Sequence, residues 1–174
     1  MKANAKRQSG VGMVEILIAL LVLAIGVLGY AGLQLNALKS SEEAHLRATA
    51  TFIARDALER ILANPGSRAE YLDSDNWNEN ASDAGGAADN QNACVSQACS
   101  SGDMADWDIE MLTWQAANTM PAGRIVVTPC TMTGATSSCV IVAWNDQAPA
   151  DCLDEDEGVV SGEETECVVM EVTR

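Results

Sequence analysis

Residues 10 to 38 read GVGMVEILIALLVLAIGVLGYAGLQLNAL, and they set the architecture of the whole chain. This segment contains one charge, Glu15, and 23 uncharged residues separate it from Lys39. As an α-helix those residues would be roughly 35 Å long, which is enough to cross a hydrocarbon layer of about 30 Å. The pattern therefore predicts one membrane-spanning helix near the amino terminus.

Charges before the helix predict its orientation. Lys2, Lys6 and Arg7 precede it, and no acidic residue occurs among the first ten positions. Since positively charged flanks stay in the cytoplasm, the amino terminus is expected there and the rest of the chain on the other side. All the cysteines lie beyond the helix, and an even number in that compartment predicts disulfides: Cys94, Cys99, Cys130, Cys139, Cys152 and Cys167.

Metal binding is not expected from these residues. The cysteines include no closely spaced CxxC pair, and the only histidine, His45, lies far upstream, so a zinc site is not predicted. The acidic run that begins at Asp73 fails as a calcium loop because Trp77 and Ala84 occupy ligand positions. No cofactor is predicted either.

Glu15 is the unusual residue of the apolar segment. A carboxylate at the centre of a membrane helix costs about 3 kcal/mol on insertion scales, and less near an end. Such a residue is usually kept for a partner, although a glutamate in headgroup water is the simpler alternative. The residues around Glu15 favour a partner.

The junction at Gly10 resembles the class III signal of type IV prepilins. A short basic leader ends in Gly10, an apolar residue follows, Glu15 is fifth after the glycine, and an unbroken apolar helix comes next. In that family a prepilin peptidase cuts after the glycine and methylates the new amino terminus. The resemblance implies cleavage between Gly10 and Val11 and methylation of Val11.

The same resemblance implies that Glu15 acts in assembly. Cleavage would leave an ammonium group on Val11, four residues before Glu15 and therefore on the same helix face. The two charges can pair within one chain or between neighbours, and the cost of an unpaired buried charge would set the axial register of assembly. Gly32 stands where the family usually has a proline, and Gly26, Gly29 and Gly32 are expected to make the helix flexible.

An ordinary secretory signal is the alternative interpretation of the amino terminus. Residues 16–28 would be its apolar region, and a cut after Ala31 would release a secreted domain. Glu15 directly beside the apolar region, the junction at Gly10 and a helix that continues past Ala31 all argue against it.

The helix is predicted to continue beyond the membrane. Apolar residues recur at helical spacing and form one face: Ala50, Ile53, Ala54, Ala57, Leu58 and Ile61. Opposite charges at i,i+4 favour the same helix: Glu43 with Arg47, Arg55 with Glu59, and Asp56 with Arg60. Asn64-Pro65-Gly66 ends it, so one helix of about 50 residues is expected. The alternative is two helices joined near Ser40-Ser41.

A finer resemblance covers the end of this helix and part of the following domain. Residues 55–65 look like the PilV family of minor type IV pilins, in which Asp-x-x-Glu-Arg (here residues 56–60) precedes a Pro/Gly turn. Residues 121–127 and 142–145 resemble the sheet of the same family. The resemblance implies an α+β, type IV pilin-like fold. A long amino-terminal helix, half in the membrane and half amphipathic, would pack on a small antiparallel β-sheet with disulfide-stapled loops.

The residues themselves predict the elements of the carboxy-terminal part. Stretches rich in β-branched residues predict strands at 124–128, 139–144 and 166–172, the first two as a hairpin. Residues 73–102, rich in Asp, Asn, Ser, Ala and Gly, predict a long loop. Asp103 or Asp106 is predicted to cap a short helix that packs one face into the core: Trp107, Met111 and Trp114.

The domain boundaries and disulfides follow from these elements. We expect a leader (1–10), a membrane or filament-core helix (11–38), the amphipathic half of the same helix (39–64) and a globular domain (65–174). Of 15 possible disulfide pairings we favour the sequential one: Cys94–Cys99, Cys130–Cys139 and Cys152–Cys167. The middle pair faces across the proposed hairpin, and the last closes a loop like the carboxy-terminal loop of many pilins.

Charge and motifs argue against two classes of function, nucleic-acid binding and catalysis. The chain has 10 basic and 25 acidic residues, and removal of the leader leaves seven basic ones, which is the wrong sign for a nucleic-acid-binding protein. No Ser/His/Asp set, P-loop or dinucleotide-binding glycine pattern is present, so no enzymatic activity is expected.

The sequence is therefore interpreted as a structural protein that resembles a minor pilin. The resemblance implies an inner-membrane precursor that enters a pilus at the cell surface, where it serves in the priming or tip complex, in motility and adhesion. Its implied partners are the prepilin peptidase, the inner-membrane assembly platform, the major pilin and other minor pilins. A minor pseudopilin of type II secretion and a membrane-anchored periplasmic binding module are the alternatives.

Overall fold

A computed structural model describes residues 12–77, 94, 98–130, 137–154, 158–160 and 165–173. Helix α1 extends over 51 residues, Met13–Ala63. It runs without a break through Ser40-Ser41 and ends directly before Asn64-Pro65. The prediction of one long helix is therefore confirmed, and the alternative of two joined helices is excluded.

The chain divides into two compact units, Met1–Glu43 and Ala44–Arg174. In the first unit every described residue up to position 42 is exposed. The second unit contains the rest of α1, the short helix α2 (Arg68–Tyr71), helix α3 (Ser101–Thr119) and all of the strands.

One face of α1 is buried within the second unit. The buried residues share one face of the helix, at spacings set by its 3.6-residue period: Leu46, Ala50, Ile53, Ala54, Ala57 and Ile61. Three of them are alanines, whose small side chains let a helix approach its neighbours closely. The predicted apolar face is confirmed except for Leu58, which is only partly buried.

The sheet against which α1 packs has three antiparallel strands. They are β1 (Arg124–Pro129), β2 (Ser137–Ala143) and β5 (Cys167–Thr173), in the order β1-β2-β5. Central β2 is buried along its whole length, as expected for a strand covered on both faces. A separate two-stranded sheet joins β3 (Leu153–Asp154) to β4 (Gly158–Val159). The predicted strands and the α+β pilin-like fold are confirmed.

Helix α3 corrects two sequence predictions. Its cap is Ser100, whose hydroxyl accepts from the Asp103 N–H while the Asp103 carboxylate accepts from the Ser100 N–H, a reciprocal capping box. Asp103 is thus the third helical residue and not the cap, and the helix is 19 residues long and not short.

The tryptophan face of α3 was also predicted wrongly. Trp107 and Trp114 are only half-buried, because the core face of α3 lies on other residues: Ala105, Asp108, Ile109, Leu112 and Ala116. The tryptophans that lie in the core are Trp77 and Trp144. Small side chains on the core face of α3 allow the helix to lie close to the sheet.

A tight turn joins α3 to β1. Gly123 lies so close to the end of α3 that a Cβ atom there would be 2.0 Å from the Ala116 carbonyl oxygen. Only glycine fits this approach. The Pro121-Ala122-Gly123 segment thus allows the start of β1 to pack closely against the end of α3.

The six cysteines are joined in the sequential order that the sequence analysis favours. The bonds link Cys94 to Cys99, Cys130 to Cys139 and Cys152 to Cys167. The second bond connects the end of β1 to β2, and the third connects the segment before β3 to β5. The first closes a five-residue separation within the long segment that precedes α3.

Candidate functional site

The candidate site is the first part of α1. Glu15 lies in the first turn of this helix. The backbone N–H groups of Glu15 and Ile16 donate to the Gly12 carbonyl oxygen at 3.0 and 3.3 Å. Glu15 therefore lies at the amino-terminal end of α1, where the helix dipole is positive. Gly10 and Val11, the predicted cleavage and methylation positions, lie outside the described residues.

The surface that follows Glu15 is apolar all round. An 18-residue window of the helix has a mean hydropathy of 2.6, and none of it is buried within the chain. Every large apolar side chain from Met13 to Leu38 is at least 51 % exposed. A continuous apolar surface of this length needs lipid or protein around it.

Three glycines interrupt this surface without interrupting the helix. Gly26, Gly29 and Gly32 are helical, and a Cβ atom at each would meet nothing within 4 Å. They therefore leave small, open positions on the outside of α1. Their predicted contribution to flexibility stays a prediction.

The second part of α1 is anchored by a network around Arg60. The guanidinium donates to both carboxylate oxygens of Asp56 at 3.1 Å and to Asp108 Oδ1 at 2.5 Å. The other oxygen of Asp108 accepts from the Tyr71 hydroxyl at 2.5 Å. Asn64 Nδ2 in turn donates to the Tyr71 hydroxyl oxygen at 3.3 Å. One buried carboxylate thus joins α1, α2 and α3.

Two members of the network, Arg60 and Tyr71, have raised pKa values. Burial lowers the pKa of Arg60, but hydrogen bonds to Asp56 and Asp108 outweigh burial and raise the pKa overall. Burial, followed by the hydrogen bond to Asp108, raises the pKa of Tyr71 far above its ordinary value. Arg60 also lies 5.8 Å from the centre of the Trp107 ring. At neutral pH the network therefore contains a charged guanidinium and a neutral phenol that donates.

A second contact holds the beginning of this part of the helix. Arg47 Nη2 donates to the Thr165 carbonyl oxygen at 2.7 Å, and its guanidinium lies 5.6 Å from the centre of the Trp144 ring. Trp144 is 1 % exposed and follows β2, while Thr165 lies two residues before Cys167. Arg47 thus connects α1 to the end of the β2–β5 pair at which β2 stops and β5 starts.

Sequence reasoning found part of this network. The pair Asp56–Arg60 forms as predicted, whereas Arg55 and Glu59, both among the described residues, form no ion pair with each other. Asp108 and Tyr71 were missed. The detectable signal was an acidic residue on a helix face otherwise occupied by Ala105, Ile109 and Leu112, since a carboxylate in that position needs a partner.

The rest of the second unit offers little for small-molecule chemistry. A cavity of about 380 Å³ lies beside the network, between Arg60, Asn64, Ser101, Met104 and Asp108 among others. Its charged members already bond one another. In the part of the chain that the structure describes, no three metal-binding side chains come together.

Two protein-family models match the sequence. Residues 5–31 match the model described as the prokaryotic N-terminal methylation motif, and residues 32–110 match the model described as type IV pilin Tt1218. The two matched ranges adjoin and together include residues 5–10, all of α1 and the first ten residues of α3. No curated protein and no solved structure matches the chain.

Proposed function

We propose that this chain, whose sequence matches a type IV pilin model and the N-terminal methylation motif, is a minor pilin of the PilV type. In this role it helps to prime pilus assembly or forms part of the tip complex, and so serves twitching motility and adhesion. Its partners are the prepilin peptidase, the inner-membrane assembly platform, the major pilin and other minor pilins. Type IV pilins are structural proteins, so the chain is not an enzyme.

The proposed steps of processing and assembly follow the order of the segments along the chain. The peptidase removes residues 1–10 by cutting between Gly10 and Val11, and Val11 is methylated. Residues 11–38 then hold the subunit in the membrane and later in the filament core. Residues 39–64 carry the globular domain, 65–174, on the periplasmic side and finally on the pilus.

The observation that carries the proposal is Glu15 at the start of an exposed apolar helix. Among the described residues Glu15 has no ion-pair partner, and the apolar window around it is buried by nothing in the chain. A carboxylate taken into apolar surroundings is stable only with a partner. The amino-terminal ammonium of the cleaved chain, or of its neighbour, supplies that partner during assembly.

Support for a minor role comes from the end of α1. The stretch that resembles the PilV family, residues 55–65, contains Asp56 and Arg60, and both take part in the network that joins the helix to the domain. These charges therefore have a structural purpose in this chain. In the proposed function, residues 55–65 anchor the helix to the domain and Glu15 acts in assembly.

Two measurements test the proposal. Intact-mass analysis of the mature protein should show loss of ten residues and addition of one methyl group. Quantitative mass spectrometry of sheared pili should find this chain well below the major subunit, and its deletion should reduce the number of pili until the gene is restored. If the chain is the most abundant pilus subunit, the minor role is wrong. If piliation is normal and type II secretion fails, the protein is a pseudopilin instead.

A further inference from the structure

The outer face of α1 in the second unit exposes two large apolar side chains. Phe52, the only phenylalanine of the chain, is 74 % exposed, and Leu62 is 61 % exposed. Both lie opposite the face that enters the core. Together with the exposed Ala48, Arg55 and Glu59 they form a line in which successive members are three or four residues apart. We call these five residues the outer stripe.

Spacing and charge make the outer stripe suitable for contact with another helix. Alternating steps of four and three residues are the spacing of a helix–helix seam. Arg55 and Glu59 lie at its centre and, among the described residues, they form no ion pair, whereas the neighbouring Asp56 and Arg60 pair with each other. The stripe thus presents an apolar side chain near each end and one charge of each sign between them.

The membrane segment determines whether two such helices are parallel or antiparallel. Each copy has its apolar segment at the amino-terminal end of the same helix, so copies in one membrane have their α1 helices parallel. Parallel helices in register would place Arg55 against Arg55 and Glu59 against Glu59, which is unfavourable. A displacement of four residues removes both conflicts.

We propose that the outer stripe binds the outer stripe of a second copy of this chain, parallel and displaced by four residues, or about 6 Å along the axis. In this register Glu59 of the first copy pairs with Arg55 of the second copy. Phe52 of the first copy covers Ala48 of the second copy, so that a large side chain meets a small one. Charge and size are therefore complementary in the same register.

The same displacement serves the assembly contact, and this step rests on the proposed function. Val11 and Glu15 are also four residues apart. In the proposed assembly, pairing of Glu15 with the amino terminus of a second copy therefore also needs a displacement of four residues. The contact of the outer stripe and the contact of Glu15 each favour the same displacement.

Cross-linking between two tagged copies tests the proposed register. One copy carries Phe52→Cys, the other carries Ala48→Cys, and membranes from cells that express both full-length proteins receive a short thiol-reactive cross-linker. We expect a cross-linked dimer that contains both tags. The matched control has Ala48→Cys in both copies, which the displacement separates, and it should cross-link several-fold less.

Charge reversal tests whether Arg55 and Glu59 specify the contact. Arg55→Glu or Glu59→Arg alone should lower cross-linking by about two- to fivefold, the range expected for an exposed ion pair, and the double variant should restore it. Equal cross-linking in the control, no rescue by the double variant, or cross-links only to a different pilin would each overturn the proposal. Wild-type recovery in sheared pili without any dimer refutes this contact alone, whereas absence from pili refutes the proposed function.

Discussion

The two parts of helix α1 have the same backbone conformation and opposite surroundings. From Met13 to residue 42 every position is exposed, and no other part of the chain that the structure describes buries the apolar window. From Leu46 to Ile61 one face is buried in the domain core. The charges differ in the same way, since Arg60 has two carboxylates within the chain and Glu15 has none among the described residues.

This difference teaches that one helix serves two purposes. The second part is stabilised by its own domain, so substitutions there should change the free energy of unfolding. In the proposed function the first part is surrounded by lipid or by other subunits, so substitutions there should change assembly and leave folding unaltered. All four tryptophans belong to the second unit, and tryptophan fluorescence of the full-length protein in detergent therefore reports unfolding of that unit.

The largest effect on folding is expected from Asp108→Ala. It leaves the Tyr71 hydroxyl without its acceptor and Arg60 with one carboxylate instead of two, and breaking a buried pair costs about 3–5 kcal/mol. Chemical denaturation should show this loss. Asp108→Asn, which keeps the shape and can still accept from Tyr71, should lose less. An unchanged unfolding midpoint for Asp108→Ala would mean that the network does not anchor the helix.

Neighbouring residues on α1 provide the next comparison. Ile53 is 1 % exposed, and Ile53→Ala should lower the free energy of unfolding by about 2–4 kcal/mol through lost burial and a cavity. Phe52→Ala, one position away and 74 % exposed, should change it by less than about 0.5 kcal/mol. Similar losses for both variants would show that the helix does not pack through the face described.

A smaller effect is expected from Tyr71→Phe. Removing a hydroxyl that donates to a charged group costs about 1.5–3 kcal/mol, and the remaining bond from Arg60 to Asp108 should keep the loss near the lower end.

Alkaline titration gives this variant a second signature. The pKa of Tyr71 is raised in the folded protein, so the unfolded chain releases its phenolic proton first. Stability should therefore fall as pH rises above about 10, the ordinary tyrosine pKa, and the fall should be weaker in Tyr71→Phe. Parallel alkaline curves for variant and wild type would contradict the proposed hydrogen bond.

Local pattern predicted much of the fold. The apolar period through Ile53 and Ile61 indicated the buried face of α1, Pro65 indicated its end, and β-branched runs indicated the strands. The anchor could not be read in this way, because Arg60 and Asp108 are 48 residues apart and no local spacing relates them. Ser100 was missed as the cap because Asp103 suits the same role locally. In the capping box Ser100 is the cap, and Asp103 is the third helical residue.

The candidate site was predictable to a different extent. Glu15 and the apolar run are visible in the sequence because they depend on composition and spacing. The outer stripe was not predicted, since Phe52 and Leu62 are apolar and only the structure shows that they face away from the core. Opposite charges four residues apart did not predict which ion pairs form, because the Asp56–Arg60 pair forms and the Arg55–Glu59 pair does not.

The smallest effect on folding, and the most direct test of the division of α1, is expected from Glu15→Ala. The variant should insert, lose its leader and unfold with a free energy within about 0.5 kcal/mol of wild type, since Glu15 is an exposed residue of the first unit and the tryptophans report unfolding of the second unit. Glu15→Asp, which keeps the charge, is the matched control. The measurement is the fraction of each protein recovered in sheared pili against the fraction left in membranes. The account predicts that Glu15→Ala stays in the membrane while Glu15→Asp is still incorporated, and equal incorporation of Glu15→Ala and wild type would contradict it.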